Sequence, residues 1–281
     1  MINEKILNMI EKISPQAKDF VSNGFNNNNV KVYYFNDKKA SNGTFLSVEN
    51  EVYTILYAYF FEDSNSVAIL KLIKDKIVHH SLNKSSKELC FNVYGRNTKI
   101  IDLIRKLDFC LDAEGYHFQY DDDRLLKHDG HPLVEKNYDS LYIKQCTNLF
   151  DSAYYQLDRD NGWETNTYSN NEASFNKKIC ALNRLNQIKT FWIEDHLIGA
   201  YTFEENYITD IVVHPSYQNK GYGKTILAKC IQQMNLNIPL KEIRLRVMKN
   251  NIGAKRFYEA NNFKEIAYFS EHTYSTNKLK D

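Results

Sequence analysis

The chain has 281 residues, 43% of them hydrophobic and 14% aromatic, enough for one large domain or for two of about 100–150 residues with cores of their own. Its 36 basic and 35 acidic residues leave a formal net charge of +1, which argues against a nucleic-acid or membrane surface. The five cysteines (Cys90, Cys110, Cys146, Cys180, Cys230) are odd in number, scattered, and form no C-x-x-C, a pattern that argues against a disulfide framework or a zinc site and fits a reducing compartment.

The opening MINEKILNMIEKIS carries acidic residues and reads as an amphipathic helix, not a signal peptide. No apolar run approaches the length of a membrane span, so the expected setting is cytoplasmic. Asn26 to Asn29 reads as a polar turn, and Tyr53 to Phe61 as a strand. The segment Glu88 to Phe109 reads as strand, helix and the start of a second strand. From Asp121-Asp122-Asp123 to Tyr138 the chain is polar and includes Asp129-Gly130-His131-Pro132, the expected boundary between two domains at 1–130 and 139–281. Beyond it, Leu141 to Cys146 reads as a strand, and Asp151 to Asp160 and Ser174 to Asn183 as helices. Gln187 to Glu194 and His196 to Glu204 read as a hairpin turning at Glu194-Asp195-His196, and Tyr207 to Val213 as a buried strand.

Two segments match without a gap at a spacing of 154 residues: ELCFNVYGRNTKIIDLIRKLDF from Glu88 and EIRLRVMKNNIGAKRFYEANNF from Glu242. Each opens on a Glu and alternates apolar residues (Leu89, Phe91, Val93; Ile243, Leu245, Val247). Each then meets an Asn, Asn97 or Asn251, where a helix cap is expected. The helices share an apolar face, Ile100, Leu103, Ile104 and Leu107 against Ala254, Phe257 and Tyr258, and each segment closes on Phe109 or Phe263. Gapless register points to duplication of one strand–helix–strand unit.

The stretch QNKGYGKT, Gln218 to Thr225, ends like a nucleotide-binding P-loop. That loop needs G-x-x-x-x-G-K-[ST], and its first Gly falls on Gln218. Residues 226–281 also leave no room for the magnesium-binding strand of such a domain. Read instead as Gln-x-x-Gly-x-Gly, the stretch joins a strand to an amphipathic helix carrying Ile226, Leu227, Cys230, Ile231 and Met234 on one face. Gly221 and Gly223 let backbone N–H groups approach an anion, the helix N-terminus adds unsatisfied donors, and Lys220 and Lys224 add charge. The pattern suits a pyrophosphate.

The run Ile211-Val212-Val213-His214-Pro215-Ser216-Tyr217-Gln218-Asn219-Lys220-Gly221-Tyr222-Gly223-Lys224 closely resembles the acetyl-CoA-binding motif of the GNAT superfamily of N-acetyltransferases. Asn251, Phe257-Tyr258-Glu259 and Asn262-Phe263 match the motif that follows, with Asn262 replacing the usual Gly. The resemblance covers about residues 140 to 281. It implies an α+β fold, here two GNAT-like domains, each a central, mostly antiparallel twisted sheet flanked by helices. The first half reads as a decayed copy: Glu62-Asp63-Ser64-Asn65-Ser66 holds two carboxylates and no Gly where a pyrophosphate is expected, and Ile104 stands at the tyrosine position.

What the resemblance implies chemically is acetyl transfer from acetyl-CoA to a primary amine by direct transfer, with no metal. The acceptor is a small-molecule or peptide amine. The backbone of Ile211, Val212 and Val213 is expected to pair with the pantetheine arm. Gln218, Asn219, Lys220, Gly221, Tyr222, Gly223, Lys224 and Thr225 are expected to hold the pyrophosphate, and Asn251 to cap its helix and touch the cofactor. Tyr258 matches the family's general acid. The base position of several family members is held by Thr209, which cannot serve. Asp210, on the motif strand, is the preferred substitute, ahead of Glu204, Glu205 and His272, and a water chain could equally relay the proton. Trp163 and Tyr168 could wall the acceptor site, and Glu164 could pair with an amine. The alternative is a non-catalytic acyl-CoA-binding or regulatory protein on the same fold.

Overall fold

The computed structural model describes residues 2–38, 42–61, 66–82, 87–128, 130 and 132–274. The chain divides into two compact units, one formed by Met1–Tyr116 with Ala267–Asp281, the other by His117–Ile266. The division falls ahead of the polar stretch at 121–138, and Ala267 to Tyr274, read from sequence as part of the second domain, lies in the first unit.

In the first unit, α1 (Ile2–Ile10) and α2 (Pro15–Asn26) precede β1 (Val30–Asn36), β2 (Gly43–Glu49) and β3 (Tyr53–Phe60). Then come α3 (Val67–Leu82), β4 (Glu88–Tyr94), α4 (Thr98–Arg105) and β5 (Phe109–Tyr120). Ser14 caps α2 by accepting from the Ala17 N–H at 3.0 Å, which closes one of the helix's orphan donors. The strand order is β1-β2-β3-β4, and the next place is taken by β11 (Phe263–Tyr274) from the far end of the chain. Beyond Ala267 that strand runs antiparallel to β4, from Phe269 opposite Tyr94 to Thr273 opposite Cys90. Two apolar cores result. One holds Phe45, Leu56, Phe91, Val93 and Ile104; the other holds Ile6, Ile10, Val21, Leu46 and Tyr59.

In the second unit, β6 (Val134–Lys136) is followed by α5 (Ile143–Asn161), α6 (Thr167–Asn170), α7 (Glu172–Arg184), β7 (Ile188–Ile193), β8 (His196–Glu204) and β9 (Tyr207–Val213). Then come α8 (Tyr222–Met234), β10 (Arg244–Met248) and α9 (Ile252–Glu259). The sheet order is β10-β9-β8-β7-β6, antiparallel except for the β9–β10 pair. The strand expected at Leu141 to Cys146 is absent. Asp139 accepts from the Leu141 N–H at 2.9 Å and starts a short turn, and Cys146, Leu149 and Phe150 are then buried at helical spacing inside α5. The edge strand is β6, which pairs with β7.

The sequence repeat is a repeat of structure. At the 154-residue spacing α4 (Thr98–Arg105) matches α9 (Ile252–Glu259) end for end, and β5 (Phe109–Tyr120) matches β11 (Phe263–Tyr274). Asp108 (φ +63°) and Asn262 (φ +66°) take the same left-handed position before those strands, which Asn and Asp tolerate better than most residues. The two expected caps differ. Asn251 accepts from the Ala254 N–H at 3.0 Å. Asn97 does not cap its helix: Gly95 turns the chain at φ +80°, and the Asn97 amide donates instead to the carbonyls of Tyr94 (2.7 Å) and Phe60 (3.2 Å).

Candidate active site

The site begins with an irregularity in β9. Its register against β8 shifts between Thr202, opposite Asp210, and Phe203, opposite Ile208, so Thr209 is an extra, bulged residue. A bulge bends its strand. Against β10 the parallel pairing of β9 covers only Tyr207–Arg244 and Ile208–Leu245, and beyond that the two strands part. Among the described residues, the β10-facing edge of β9 from Thr209 to Val213 has no strand partner.

Into the opening lead the loop after β9 and the N-terminus of α8. Gln218 donates its side-chain amide to the Val213 carbonyl at 2.9 Å, which ties loop to strand. Asn219 (φ +60°) and Gly221 (φ +85°) are both left-handed, and Gly221 is the N-cap of α8. The helix's first N–H groups thereby face outward from its start. A Cβ on Gly223 would lie 3.5 Å from the Phe257 ring, filling space at the loop's inner side. Lys224 makes no ion pair among the described residues.

A cleft of about 740 Å³ occupies this place. β9 contributes Ile211, Val212 and Val213; the loop and α8 contribute Gln218, Asn219, Gly221, Gly223 and Lys224; and Asn251, Phe257 and Tyr258 come from α9 and its cap. These residues, distant in sequence, meet because α8 and α9 flank the parted strands. Three of the expected phosphate-binding residues do not line the cleft. Lys220 donates to the Ser216 carbonyl at 2.9 Å and lies over the Tyr217 ring, Tyr222 packs edge-on to Tyr217, and Thr225 is buried, its hydroxyl without a partner among the described residues.

Tyr258 is 9% exposed, lines the cleft, and has no hydrogen-bond partner for its hydroxyl among the described residues. Burial first, then the Cys230 thiol and the Asp210 carboxylate, push its phenol above the ordinary value, so it carries its proton at neutral pH. Asp210 is not on the cleft wall. Its Oδ1 accepts from the Tyr154 hydroxyl at 2.7 Å and its Oδ2 from the Thr202 hydroxyl. The other candidate bases lie elsewhere. Glu204 pairs with Lys178 at 3.1 Å, Glu205 sits in a turn at φ +49°, and His272 is buried in the first unit. Trp163, Glu164 and Tyr168 are also off the cleft. Glu164 accepts from the Asn170 amide at 3.1 Å, and Tyr168 packs against Phe150, Tyr154 and Phe175. Sequence reasoning missed the α5 wall, formed by Ala153, Tyr154, Gln156, Leu157 and Asp160. No local motif marks these residues, which reach the site only through the packing of α5 on the sheet. Among the described residues no cluster of His, Cys, Asp and Glu could hold a metal ion, and no helix is long and apolar enough to cross a membrane.

The splayed parallel strands, the glycine loop and the helix start together frame the cleft. Residues 140–263 match the model of the acetyltransferase (GNAT) family. No curated protein matches the chain in sequence. In fold it is similar to a GCN5-related N-acetyltransferase from Sphaerobacter thermophilus, at TM-score 0.51 and 10% identity, over 82% of this chain and 76% of the other. It is also similar to a GNAT-family acetyltransferase from Colwellia psychrerythraea, at TM-score 0.52 and 10% identity, over 83% and 86%. A Drosophila protein aligns at TM-score 0.57 and 10% identity, over 99% of this chain and 91% of the other. At such identity these structures speak to fold alone, and they extend the GNAT-like fold to the first unit.

Proposed function

We propose that the second unit transfers acetyl from acetyl-CoA to a primary amine by direct transfer. The observation that carries this reading is the opening between β9 and β10 beside the Gln218–Lys224 loop. The residues present fit the cofactor. A flexible arm can add to the free edge of Ile211 to Val213, and an anion can sit against Asn219, Gly221 and Gly223 where the α8 donors and Lys224 converge. When bound, acyl-CoA supplies an activated thioester. The chain's own part is to align it along β9, offer a backbone N–H of Ile211 or Val213 to its carbonyl oxygen, and hold a proton at the Tyr258 oxygen for the leaving sulfur. Asp210 is the proposed acceptor of the amine's proton. Asn251 holds the start of α9 in place and faces the arm.

The test is thiol release from acetyl-CoA with a panel of amines: spermidine, lysine, glucosamine, benzylamine and a short peptide with a free N-terminus. Amine-dependent release is expected for at least one of them. Tyr258→Phe keeps the ring and removes the proton donor, so turnover should fall on the order of 10²-fold while acetyl-CoA affinity and thermal stability stay close to wild type. Normal turnover would make Tyr258 a packing residue. Acyl-CoA binding with no release toward any amine would instead identify a non-catalytic acyl-CoA-binding protein.

A further inference from the structure

The proposed base does not reach the cleft by itself. Both oxygens of Asp210 are engaged, by Tyr154 at 2.7 Å and by Thr202, and Asp210 is not part of the cleft wall. Tyr154 is. It stands on α5 between Ala153 and Leu157, and the same side chain touches the carboxylate and the space an acceptor must enter. Its ring packs in an aromatic cluster, stacked on Tyr168 with centroids 6.0 Å apart and tilted against Phe150 at 6.5 Å. Tyr168 is in turn fixed by Asp151, a buried carboxylate that accepts the N–H groups of Tyr168 and Ser169 at 3.0 Å each.

We infer that Tyr154 relays the proton from an acceptor ammonium in the cleft to the Asp210 carboxylate, an inference that rests on the transferase reading above. The acceptor nitrogen gives a proton to the Tyr154 oxygen while the phenolic proton passes to Asp210 Oδ1. Tyr154 ends neutral, Asp210 ends as the neutral acid, and the nitrogen keeps its lone pair for attack. No electrons are exchanged and no further reactant is consumed. The groups facing the pair are the Thr202 hydroxyl from β8, the Tyr168 phenol from α6 and the Tyr258 phenol from α9, while Asp151 and Asp158 of α5 act on Tyr168. Burial, with the nearby Asp210 charge, pushes the Tyr154 phenol well above its ordinary value, which suits a group that passes a proton without ionising.

Tyr154→Phe keeps the stacked ring and removes the hydroxyl. With acetyl-CoA as donor, the amines of the panel are ammonium ions at pH 7 in whole or large part, whereas hydroxylamine is uncharged. For the most active ammonium acceptor kcat/KM should fall on the order of 10²-fold at pH 7, while hydroxylamine stays within about threefold of wild type. The ammonium defect should shrink as pH rises and the free amine forms without help. A merely structural role would depress both acceptors equally at every pH and would overturn the relay. A second readout needs no turnover. In the free protein the Tyr154 hydroxyl proton, bound to a carboxylate, should resonate downfield of the amides in proton NMR, vanish in Tyr154→Phe, and move upfield in Asp210→Asn. A downfield spectrum unchanged in both variants removes the pair on which the relay depends. Wild-type protein silent toward every amine and hydroxylamine overturns the transferase reading, and the relay with it. Wild-type turnover matched by Tyr154→Phe leaves that reading standing and sinks the relay alone.

Discussion

Gly221 combines a backbone requirement with a chemical one. At φ +85° it occupies a conformation that costs an ordinary residue about 1–2 kcal/mol, and it borders the seat proposed for pyrophosphate. Gly221→Asp should weaken acetyl-CoA binding more than 100-fold, on the order of 3 kcal/mol, whereas Gly221→Asn, similar in size and tolerant of the same φ, should weaken it less. Calorimetry on both variants, with circular dichroism to confirm the fold, separates charge from strain. Equal losses would leave strain alone as the cause. In the first unit, His272 makes a prediction about pH. It is buried, and its imidazole is pushed down to about 4 from 6.5 by burial and then by the Arg105 guanidinium. Between those values the unfolded chain takes up a proton that the folded chain refuses, so stability is full above pH 6.5 and is lost as pH falls toward 4. Urea unfolding of the first unit should show roughly 2 kcal/mol less stability at pH 5 than at pH 7, and His272→Phe should flatten that slope. An equal slope in the variant would assign the acid sensitivity to other groups. Single residues were unequally legible. Asn251 caps its helix as its place in the repeat suggests, but Asn97, in the matching place, has a glycine turn ahead of it that redirects its amide to two carbonyls. The link from Tyr154 to Asp210 spans 56 residues and leaves no local trace, because it depends on where α5 packs.

The pairing of β8 with β9 supports the site from behind, and Gly199 packs directly against Ile226 of α8. A Cβ built there would lie 2.7 Å from the Val212 carbonyl oxygen and would overlap the Ile226 side chain. The carbonyl belongs to a ladder strand and cannot swing aside. Gly199→Ala should therefore cost about 1–3 kcal/mol, read as a lower urea midpoint with an unchanged slope. It should also weaken acetyl-CoA binding, because Val212 and Val213 move with the strand. A variant as stable as wild type would mean that α8 shifts freely on the sheet, and that the loop at its start is not positioned by this contact. At this level the sequence was most readable where period and turn residues agreed. β8 and β9 run as expected over His196–Glu204 and Tyr207–Val213, and all five residues read as the inner face of α8 are buried. The failure at Leu141 to Cys146 has a physical cause. A short apolar run fits strand or helix equally, and the choice was made by the Asp139 cap and by the buried Cys146, Leu149 and Phe150 further along. The bulge at Thr209 was equally hidden, since nothing in Ile-Thr-Asp shows that one residue will be left without a partner.

The two units, each taken by itself, differ at the place where the second opens its cleft. In the second unit the parallel pair stops at Ile208–Leu245, and the cleft lies beyond. In the first unit the equivalent strands, β3 and β4, stay paired from Tyr53–Glu88 through Tyr59–Tyr94 with no break in register. Leu245 corresponds to Phe91, so the ladder of the first unit continues through the residues where that of the second has opened. Closed strands spend their backbone groups on each other and leave no free edge for an extended arm. The interior agrees: Leu56, Ala58, Phe91 and Val93 are all buried in one apolar cluster, and Ile104 fills the place corresponding to Tyr258. Residues 62–65 of the acidic segment Glu62 to Ser66 lie outside those described. We therefore expect one acetyl-CoA per chain. Isothermal titration should give a single site, and Gly221→Asp should leave no site of wild-type affinity. Two sites of similar affinity, or a site of wild-type affinity remaining in that variant, would mean that β3 and β4 part in solution and that the first unit has kept its cofactor.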